Sequence, residues 1–257
     1  AAQLGIPADA VEVQETPPIH FAATLRDRVR PVQGGLQINF SGYLCTLGFN
    51  AIRSGQASFI TNSHCTSVQG GTESTRYYQP LSSVDGTVIA TEVADPTYFT
   101  GGACPAGRRC RYSDSARAAY SSGMSYALGS LARTSSRGQW SGSLTISGSF
   151  SITGKRNPVA GEQANKVGRT TGWTYGPITN TCVNVNVSGS NITLLCQSMV
   201  QAGVGGGDSG SPVFGWSGSG SSVTLFGILW GGSSTGDLFV FSPISQVEQE
   251  LGALTLW

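Results

Sequence analysis

Short apolar and β-branched runs, separated by turn-forming residues, recur along most of this chain. Runs rich in Val, Ile, Thr and Phe and bounded by Gly, Ser and Asn are typical of strands in all-β domains. The clearest predicted strands cover residues 37–40, 58–61, 87–93, 143–153, 184–187, 192–196 and 223–230. Helical spacing is confined to residues 245–251, where Val247 and Leu251 follow Pro243. The pattern predicts an all-β sandwich or barrel with a short C-terminal helix.

Length and charge narrow the classes of protein to consider. A chain of 257 residues can bury a sizeable core in one or two domains. Charged residues make up only 11%, the net charge is +1, and no basic block indicates nucleic-acid binding. No apolar run is long enough to cross a bilayer. We therefore expect a monomer that binds neither nucleic acid nor membrane.

Cysteine usage points to an oxidising compartment. Six cysteines fit an exported protein with three disulfides, although sequence alone leaves many pairings open. The spacings lack the paired C-x-x-C ligands of a structural zinc site, so we expect no metal. The chain opens with AAQ and no charged and apolar leader, so we expect a secretory signal that has been removed.

A serine between glycines is the strongest chemical signal. Residues 207–212 read GDSGSP and follow two further glycines. Glycines let the backbone turn sharply and let a substrate carbonyl approach main-chain N–H groups, as an acyl-transfer nucleophile requires. The competing interpretation of Ser209 is a Gly/Ser-rich surface turn.

A histidine upstream supplies the base that a serine nucleophile needs. Residues 58–65 read SFITNSHC, an apolar run that ends at His64. Histidine has a pKa close to neutral pH and can take the serine proton. The alternative for His64 is a partly buried histidine beside a disulfide. The other histidine, His20, lies in a Pro-rich N-terminal stretch and is predicted to be a surface or packing residue.

These blocks resemble the chymotrypsin-like serine proteases, in particular the secreted bacterial branch that includes alpha-lytic protease and the streptogrisins. Residues 61–65 (TNSHC) resemble the family's T-A-x-H-C block, residues 207–212 its G-D-S-G-[GS]-P block, and residues 167–173 (VGRTTGW) its R-T-T-G segment. The order His, Asp, Ser differs from that of subtilisins and α/β-hydrolases. The resemblance implies two packed six-stranded antiparallel Greek-key β-barrels. We expect residues 1–31 to form an N-terminal extension and residues 32–135 the first barrel. Residues 136–257 are expected to form the second barrel and the C-terminal helix.

The third triad member is an aspartate that holds the imidazole in one tautomer. Asp85 precedes a glycine and Asp95 precedes a proline, so both fit turns. Asp114 is followed by small and apolar residues, as the family's triad aspartate is. We therefore predict Asp114, with Asp85 as the second candidate.

The resemblance also implies the surroundings of the nucleophile. The backbone N–H groups of Gly207 and Ser209 correspond to the family's oxyanion-hole donors. Asp208 is expected to be buried against a cation, and either Lys166 or Arg169 could supply it. The implied disulfides are Cys45–Cys65, which ties the histidine loop to the preceding strand, Cys104–Cys110 and Cys182–Cys196.

Residues 227–232 (GILWGG) resemble the strand that binds the substrate backbone and walls its first side-chain pocket. The implied substrate-binding residues are Gly203, Leu229, Trp230, Gly231, Gly232 and Asp237. Counting back from Ser209 places Gly203 where trypsin-like enzymes carry an aspartate, which favours an apolar pocket. If Asp237 points into the pocket base instead, substrate Arg or Lys would also be accepted.

The resemblance thus implies a secreted serine endopeptidase that needs no cofactor and cleaves proteins or peptides after large apolar or aromatic residues. A catalytically silent homologue that binds peptides is the main alternative, although no triad member is missing. A secreted adhesion domain would explain the composition but not the two motif blocks.

Overall fold

The computed structural model describes Gly5, Pro7, Ala10, Glu12 and residues 22–257, so His20 lies outside the described residues. The first half contains β1 (Val32–Gly34), β2 (Gln37–Phe40), β3 (Tyr43–Thr46), β4 (Phe49–Arg53), β5 (Gln56–Thr61), β6 (Arg76–Tyr77), β7 (Ala90–Ala94), β8 (Arg109–Arg111), β9 (Ala116–Tyr120) and β10 (Tyr126–Thr134). The second half contains β11 (Arg137–Gly138), β12 (Ile146–Lys155), β13 (Gln163–Gly168), β14 (Gly172–Asn186), β15 (Ile192–Val200), β16 (Pro212–Trp216), β17 (Ser222–Gly232), β18 (Phe239–Pro243) and helix α1 (Ile244–Leu251).

The first half closes into an antiparallel barrel. Strands β3 and β4 are separated only by Leu47 and Gly48 and form one interrupted strand, which pairs with β2 at its start and with β5 at its end. Beyond β5 the order runs through β9 and β7 to β6. A bridge between Asn39 and Tyr78 returns the sheet to β2. Six strand positions therefore enclose this half, counting β3 and β4 as one.

The second half closes in the same way. Antiparallel pairs join β13 to β14, β14 to β15, β15 to β18, β18 to β17, β17 to β16 and β16 back to β13. In both barrels the third strand lies beside the last, which is the Greek-key order. The predicted all-β fold with two six-stranded barrels is confirmed.

Strands β1, β10 and β12 extend the second sheet beyond its barrel, through the parallel pairing of β12 with β17. The segment before β1 packs against this extension. Leu25 is fully buried, and its backbone N–H donates to the carbonyl of Leu144 at 2.9 Å. Residues 22–31 are therefore docked on the barrels, and the division of the chain into an extension and two domains remains a prediction.

The predicted apolar and β-branched runs overlap strands of the structure, whereas strands of unusual composition do not show in the pattern. The predicted run 37–40 coincides with β2, and the predicted helix falls within α1. The run 87–93 begins three residues before β7, and 184–187 covers only the end of the long β14. The first part of β14 reads GWTYGPITNT, whose Gly, Pro and Asn favour turns. Pairing with β13 keeps it extended nonetheless.

Buried aromatic residues fill both halves. Phe59 and Phe214, from different barrels, belong to one large cluster, and Phe226 and Phe241 belong to a second cluster inside the second barrel. Among the described residues, no helix is both long and apolar enough to cross a membrane.

Candidate active site

Strand pairing in the first barrel brings His64 and Asp114 together. Thr61, the last residue of β5, pairs with Ala116, the first residue of β9. The chain segment leaving β5 therefore lies beside the segment entering β9. His64 is in a 3-10 turn, Ser63–Cys65, directly after β5, and Asp114 lies two residues before β9. The backbone N–H of Ser63 donates to the carbonyl of Asp114 at 3.2 Å and fixes the two segments.

The His64 ring contacts the Asp114 carboxylate. Nδ1 of His64 forms a short hydrogen bond with Oδ2 of Asp114, and the His64 backbone N–H donates to Oδ1 at 3.3 Å. Asp114 is buried, with 2% of its side chain exposed, whereas 33% of the imidazole is exposed. Burial lowers the pKa of His64, but the charge and hydrogen bond of Asp114 outweigh it and raise that pKa above its ordinary value. Burial raises the pKa of Asp114, yet the charge of His64 outweighs it, so the pKa falls and the carboxylate stays ionised.

Asp85 and Asp95, the other aspartates considered, are engaged elsewhere. Asp85 accepts from Arg28 at 2.6 Å, on the segment before β1. Asp95 is buried and pairs with Arg111 at 2.6 Å. Only Asp114 of these three contacts the His64 ring.

A chain of hydrogen bonds supports Asp114 from the second barrel. The Asp114 backbone N–H donates to Oγ of Ser242 at 3.1 Å, and this hydroxyl donates to Oε1 of Gln197 at 2.8 Å. The same oxygen accepts from Nε1 of Trp230 at 2.8 Å. Ser242 and Gln197 stand in no motif, so the sequence did not predict them.

A second buried network lies behind the histidine turn. The guanidinium of Arg111 is fully buried and bonds to Asp95 at 2.6 Å and to Glu250 of α1 at 2.9 Å. Asp95 in turn accepts from the Ser63 hydroxyl at 2.8 Å. The positive charge of Arg111 contributes to the lowered pKa of Asp114. The C-terminal helix is thereby connected to the residue that precedes His64.

The serine loop is held between the two barrels. The backbone N–H of Thr46 in β3 donates to the carbonyl of Ser209 at 2.7 Å. On the other side, the N–H of Gly210 donates to the carbonyl of Leu229 in β17 at 2.9 Å. Gly210 has φ +91°, and a Cβ there would lie 2.0 Å from the carbonyl oxygen of Thr46, so only glycine fits.

The N–H groups of Gly207 and Ser209 have no hydrogen-bond partner among the described residues. The Gly207 carbonyl is turned away and accepts from the Thr46 hydroxyl at 2.9 Å. Gly207 has φ +95°, a conformation that side chains rarely adopt. These two free donors beside a serine hydroxyl have the composition of an oxyanion hole.

Lys166 is the buried cation that pairs with Asp208. Its Nζ lies 3.0 Å from Oδ2 of Asp208, and both side chains are fully buried. Asp208 also accepts the backbone N–H groups of Thr170 at 2.8 Å and Gly205 at 3.0 Å. Burial raises the pKa of Asp208, but the charge of Lys166 and the hydrogen bonds from the Thr171 hydroxyl and the Thr170 backbone outweigh it and lower the pKa. The pair fixes the loop that precedes Ser209, and Arg169, the other candidate, makes no ion pair with Asp208.

His64 and Ser209 face adjoining cavities. The cavity at Ser209 has a volume of about 170 Å³ and is lined by Val204, Gly205, Gly206, Ser209, Leu229, Gly231, Gly232 and Ser233. A larger cavity of about 410 Å³ is lined by His64, Trp230 and the apolar β14–β15 hairpin. Gly231 and Gly232 line both cavities. Within residues 22–257, the Ser209 hydroxyl makes no hydrogen bond, including to His64.

Two of the six predicted pocket residues line neither cavity. Gly203 packs against the backbone of Trp140, whose carbonyl oxygen would lie 1.7 Å from a Cβ on Gly203. Asp237 is exposed, and its carboxylate accepts from the hydroxyls of Ser233 and Thr235 within its own turn. Gly203 therefore lies against Trp140 and outside the lining of both cavities. The four remaining predicted pocket residues line one or both cavities.

The structure contains the three predicted disulfides, Cys45–Cys65, Cys104–Cys110 and Cys182–Cys196. Sulfurs of the first lie within 4.8 Å of a ring nitrogen of His64. Because both sulfurs are in a disulfide, they are not the thiolates that bind metals.

Comparison with solved structures identifies the fold. Thermobifida fusca protease A has 23% sequence identity over 87% of this chain and 97% of its own, with a TM-score of 0.61. The chymotrypsin of Cellulomonas bogoriensis has 23% identity over 88% and 98%, with a TM-score of 0.59. A glutamic-acid-specific serine protease described as using a histidine triad in substrate binding has 24% identity over 88% and 100%, with a TM-score of 0.63.

No protein-family model and no curated protein matches the sequence. At these identities the structural matches establish a shared fold. The chain has the two-barrel fold of the bacterial chymotrypsin-like serine proteases, in agreement with the resemblance found in its sequence.

Proposed function

We propose that this protein is a secreted serine endopeptidase that hydrolyses peptide bonds through Ser209, His64 and Asp114. The observation that carries the proposal is the buried Asp114 carboxylate bound to Nδ1 of His64. This contact leaves Nε2 of the ring as the nitrogen available to a serine hydroxyl. The adjoining cavities and the unpaired amides beside Ser209 support the same assignment.

The proposed reaction follows from these roles. Ser209 Oγ attacks the scissile carbonyl while His64 Nε2 takes its proton, and the resulting imidazolium is stabilised by Asp114. His64 then returns the proton to the leaving amine, and an acyl-enzyme forms. Water activated by His64 hydrolyses this ester. The Ser209–His64 hydrogen bond forms when substrate binds, since catalytic hydrogen bonds are often loose in empty sites.

The N–H groups of Gly207 and Ser209 would stabilise the negative oxygen of the tetrahedral intermediate. Donors of this kind act without reorganisation because the loop already fixes them. Lys166 and Asp208 are positioning residues for this loop. The chemistry requires no cofactor.

The cavity at Ser209 would receive the side chain that precedes the scissile bond. Its lining is aliphatic, glycine or serine and carries no charge. We propose cleavage after large apolar or aromatic residues, because burying such a side chain contributes about 1.5–3 kcal/mol. Asp237 is exposed and bonds to Ser233 within its own turn, which supports a preference for uncharged side chains over Arg or Lys. The chain has only two histidines, too few for a histidine triad like that described for the glutamic-acid-specific relative.

The larger cavity would hold the residues further toward the substrate N-terminus. Trp230 forms its wall beside His64, and Val185, Val187, Ile192 and Leu194 contribute apolar surface from the hairpin. Digestion of a peptide library would test both cavities at once. We expect apolar residues at the cleavage site, whereas cleavage confined to Glu would contradict this account.

The alternative function is a catalytically silent homologue that binds peptides. Treatment with a phosphonylating reagent separates the two, because only a nucleophilic serine is labelled. Mass spectrometry should find one phosphonyl group on Ser209 in the native protein and none in Ser209→Ala. A folded protein that resists labelling yet binds peptides would support the silent homologue. Export and the monomeric state belong to the same proposal, and the disulfides support export.

A further inference from the structure

The two sides of Ser209 differ in chemistry. Strand β17 and both cavities lie on one side and would hold the acyl part of the substrate. The other side is formed by Thr46, whose backbone N–H donates to the Ser209 carbonyl, and by the adjacent Cys45–Cys65 disulfide. Because the acyl part follows β17, the departing segment of the peptide must cross the side of Thr46.

Arg169 lies on this leaving-group side. Its backbone N–H donates to the Thr46 hydroxyl at 3.1 Å. Its side chain lies over Gly207, since a Cβ on that glycine would be 2.8 Å from Nη1 of Arg169. Nε donates to Gln37 at 2.7 Å and Nη1 to Thr170 at 3.1 Å, so the guanidinium is held in place. Nη2 has no hydrogen-bond acceptor within residues 22–257.

A second cation stands beside it. Nε of Arg26 donates to the backbone carbonyl of Arg169 at 2.8 Å, and the buried Leu25 anchors this segment. Both Nη groups of Arg26 lack an acceptor in the described part of the chain. Neither guanidinium has a carboxylate within ion-pair distance in the described part of the chain. Asp208, the residue after Gly207, is buried and already paired with Lys166.

We propose that Arg169 and Arg26 form a subsite for an acidic side chain just after the scissile bond of the substrate. The inference rests on the proposed endopeptidase function and adds a preference on the leaving-group side. Free guanidinium donors match the geometry of a carboxylate, and charge-assisted hydrogen bonds of this kind are stronger than neutral ones. The docked segment before β1 thereby gains a role in substrate selection.

Matched peptides test the subsite. Two pairs of amidated peptides share one apolar acyl part. One pair carries Asp or Asn at the first residue after the cleaved bond, and the other pair carries Asp or Asn at the second. For the native protein at low ionic strength, we expect kcat/KM to be roughly fivefold higher for Asp, the effect of about 1 kcal/mol from a partly exposed ion pair. The ratio should fall toward one at high salt, because solvent-exposed charges are screened.

Variants then assign the effect to the two arginines. Arg26→Gln should lower the Asp/Asn ratio about twofold, and Arg26→Glu should bring it to one or below. Arg169→Lys should retain part of the ratio and Arg169→Gln should lose most of it. Arg76→Gln removes a charge from another exposed arginine and should leave the ratio unchanged. Using a ratio cancels any general loss of activity that a change near Gly207 causes.

The outcomes separate the two proposals. Cleavage of both peptides with a ratio near one in the native protein would overturn the subsite and leave the endopeptidase standing. A preference for Asp that survives both Arg26→Glu and Arg169→Gln would also overturn it. Failure to cleave any peptide, together with no phosphonylation of Ser209, would overturn the proposed function and the subsite with it.

Discussion

The two barrels hold their parts of the candidate site by different means. On the first barrel, side chains dominate: Asp114 contacts His64, while Arg111 and Asp95 fix the histidine turn from behind. On the second barrel, the main chain dominates, because Gly207 and Gly210 shape the serine loop. One buried ion pair between Lys166 and Asp208 secures that loop. A charged side chain sets the pKa of His64 in the first half, whereas the backbone conformation of two glycines shapes the serine loop in the second half.

This difference predicts separate consequences for the two halves. Changes at the first half should alter proton transfer and its pH dependence while the fold persists. Changes at the second half should remove the nucleophile or destabilise its loop.

Removing the nucleophile should have the largest effect. Ser209→Ala should reduce kcat by about 10⁶, the loss seen when the serine of such a triad is removed. Circular dichroism and thermal unfolding should match the native protein, because Ser209 is only partly buried and its hydroxyl makes no hydrogen bond with residues 22–257. Activity within tenfold of the native protein would refute the assignment.

Neutralising the Asp114 carboxylate should have the second-largest effect on activity. Asp114→Asn should lower kcat by about 10⁴, since an amide stabilises the wrong tautomer of the imidazole. Asp85→Asn is the matched control, because Asp85 pairs with Arg28 and makes no contact with His64. A large loss from Asp85→Asn with a small one from Asp114→Asn would reverse the choice of aspartate.

Breaking the buried pair should affect stability and activity together. Lys166→Met leaves Asp208 charged and unpaired in a fully buried position, which typically costs about 3–5 kcal/mol in the free energy of unfolding. Urea unfolding measures this loss. The double variant Lys166→Met/Asp208→Leu should recover part of the stability without recovering the activity, because the hydrogen bonds from Thr170 and Gly205 are also lost. Equal stability of Lys166→Met and native protein would exclude this role.

The pH profile should show the smallest effect. Activity requires neutral His64, and Asp114 raises the pKa of His64 above 6.5, so activity should rise through an inflection above that pH. Below the inflection it should fall about tenfold per pH unit. In Ser209→Ala, NMR titration of the imidazole should give this pKa directly, and adding Asp114→Asn should lower it. An unchanged pKa in that double variant would show that Asp114 does not act on His64.

Local motifs made much of this site predictable from the sequence. His64 and Ser209 stand in contiguous motif blocks, and the apolar and β-branched runs predict many of the strands. Ser242, Gln197 and Glu250 were not predictable, since each reaches Asp114 or its surroundings from a remote strand or helix. The choice of Lys166 over Arg169 was not predictable either, because residues 164–168 of β13 are all buried and no alternation marks Lys166. Gly203 was assigned to the pocket by counting back from Ser209, yet it lines neither cavity, because a count along the chain does not give the position of a loop.

The central claim is that residues from two barrels act as one catalytic unit. Comparing kcat of Ser209→Ala, His64→Ala and the double variant Ser209→Ala/His64→Ala tests it most directly. We predict that each single change costs about as much as the two together, because residues of a triad are strongly non-additive. A double variant whose loss is the product of the two single losses would contradict the account.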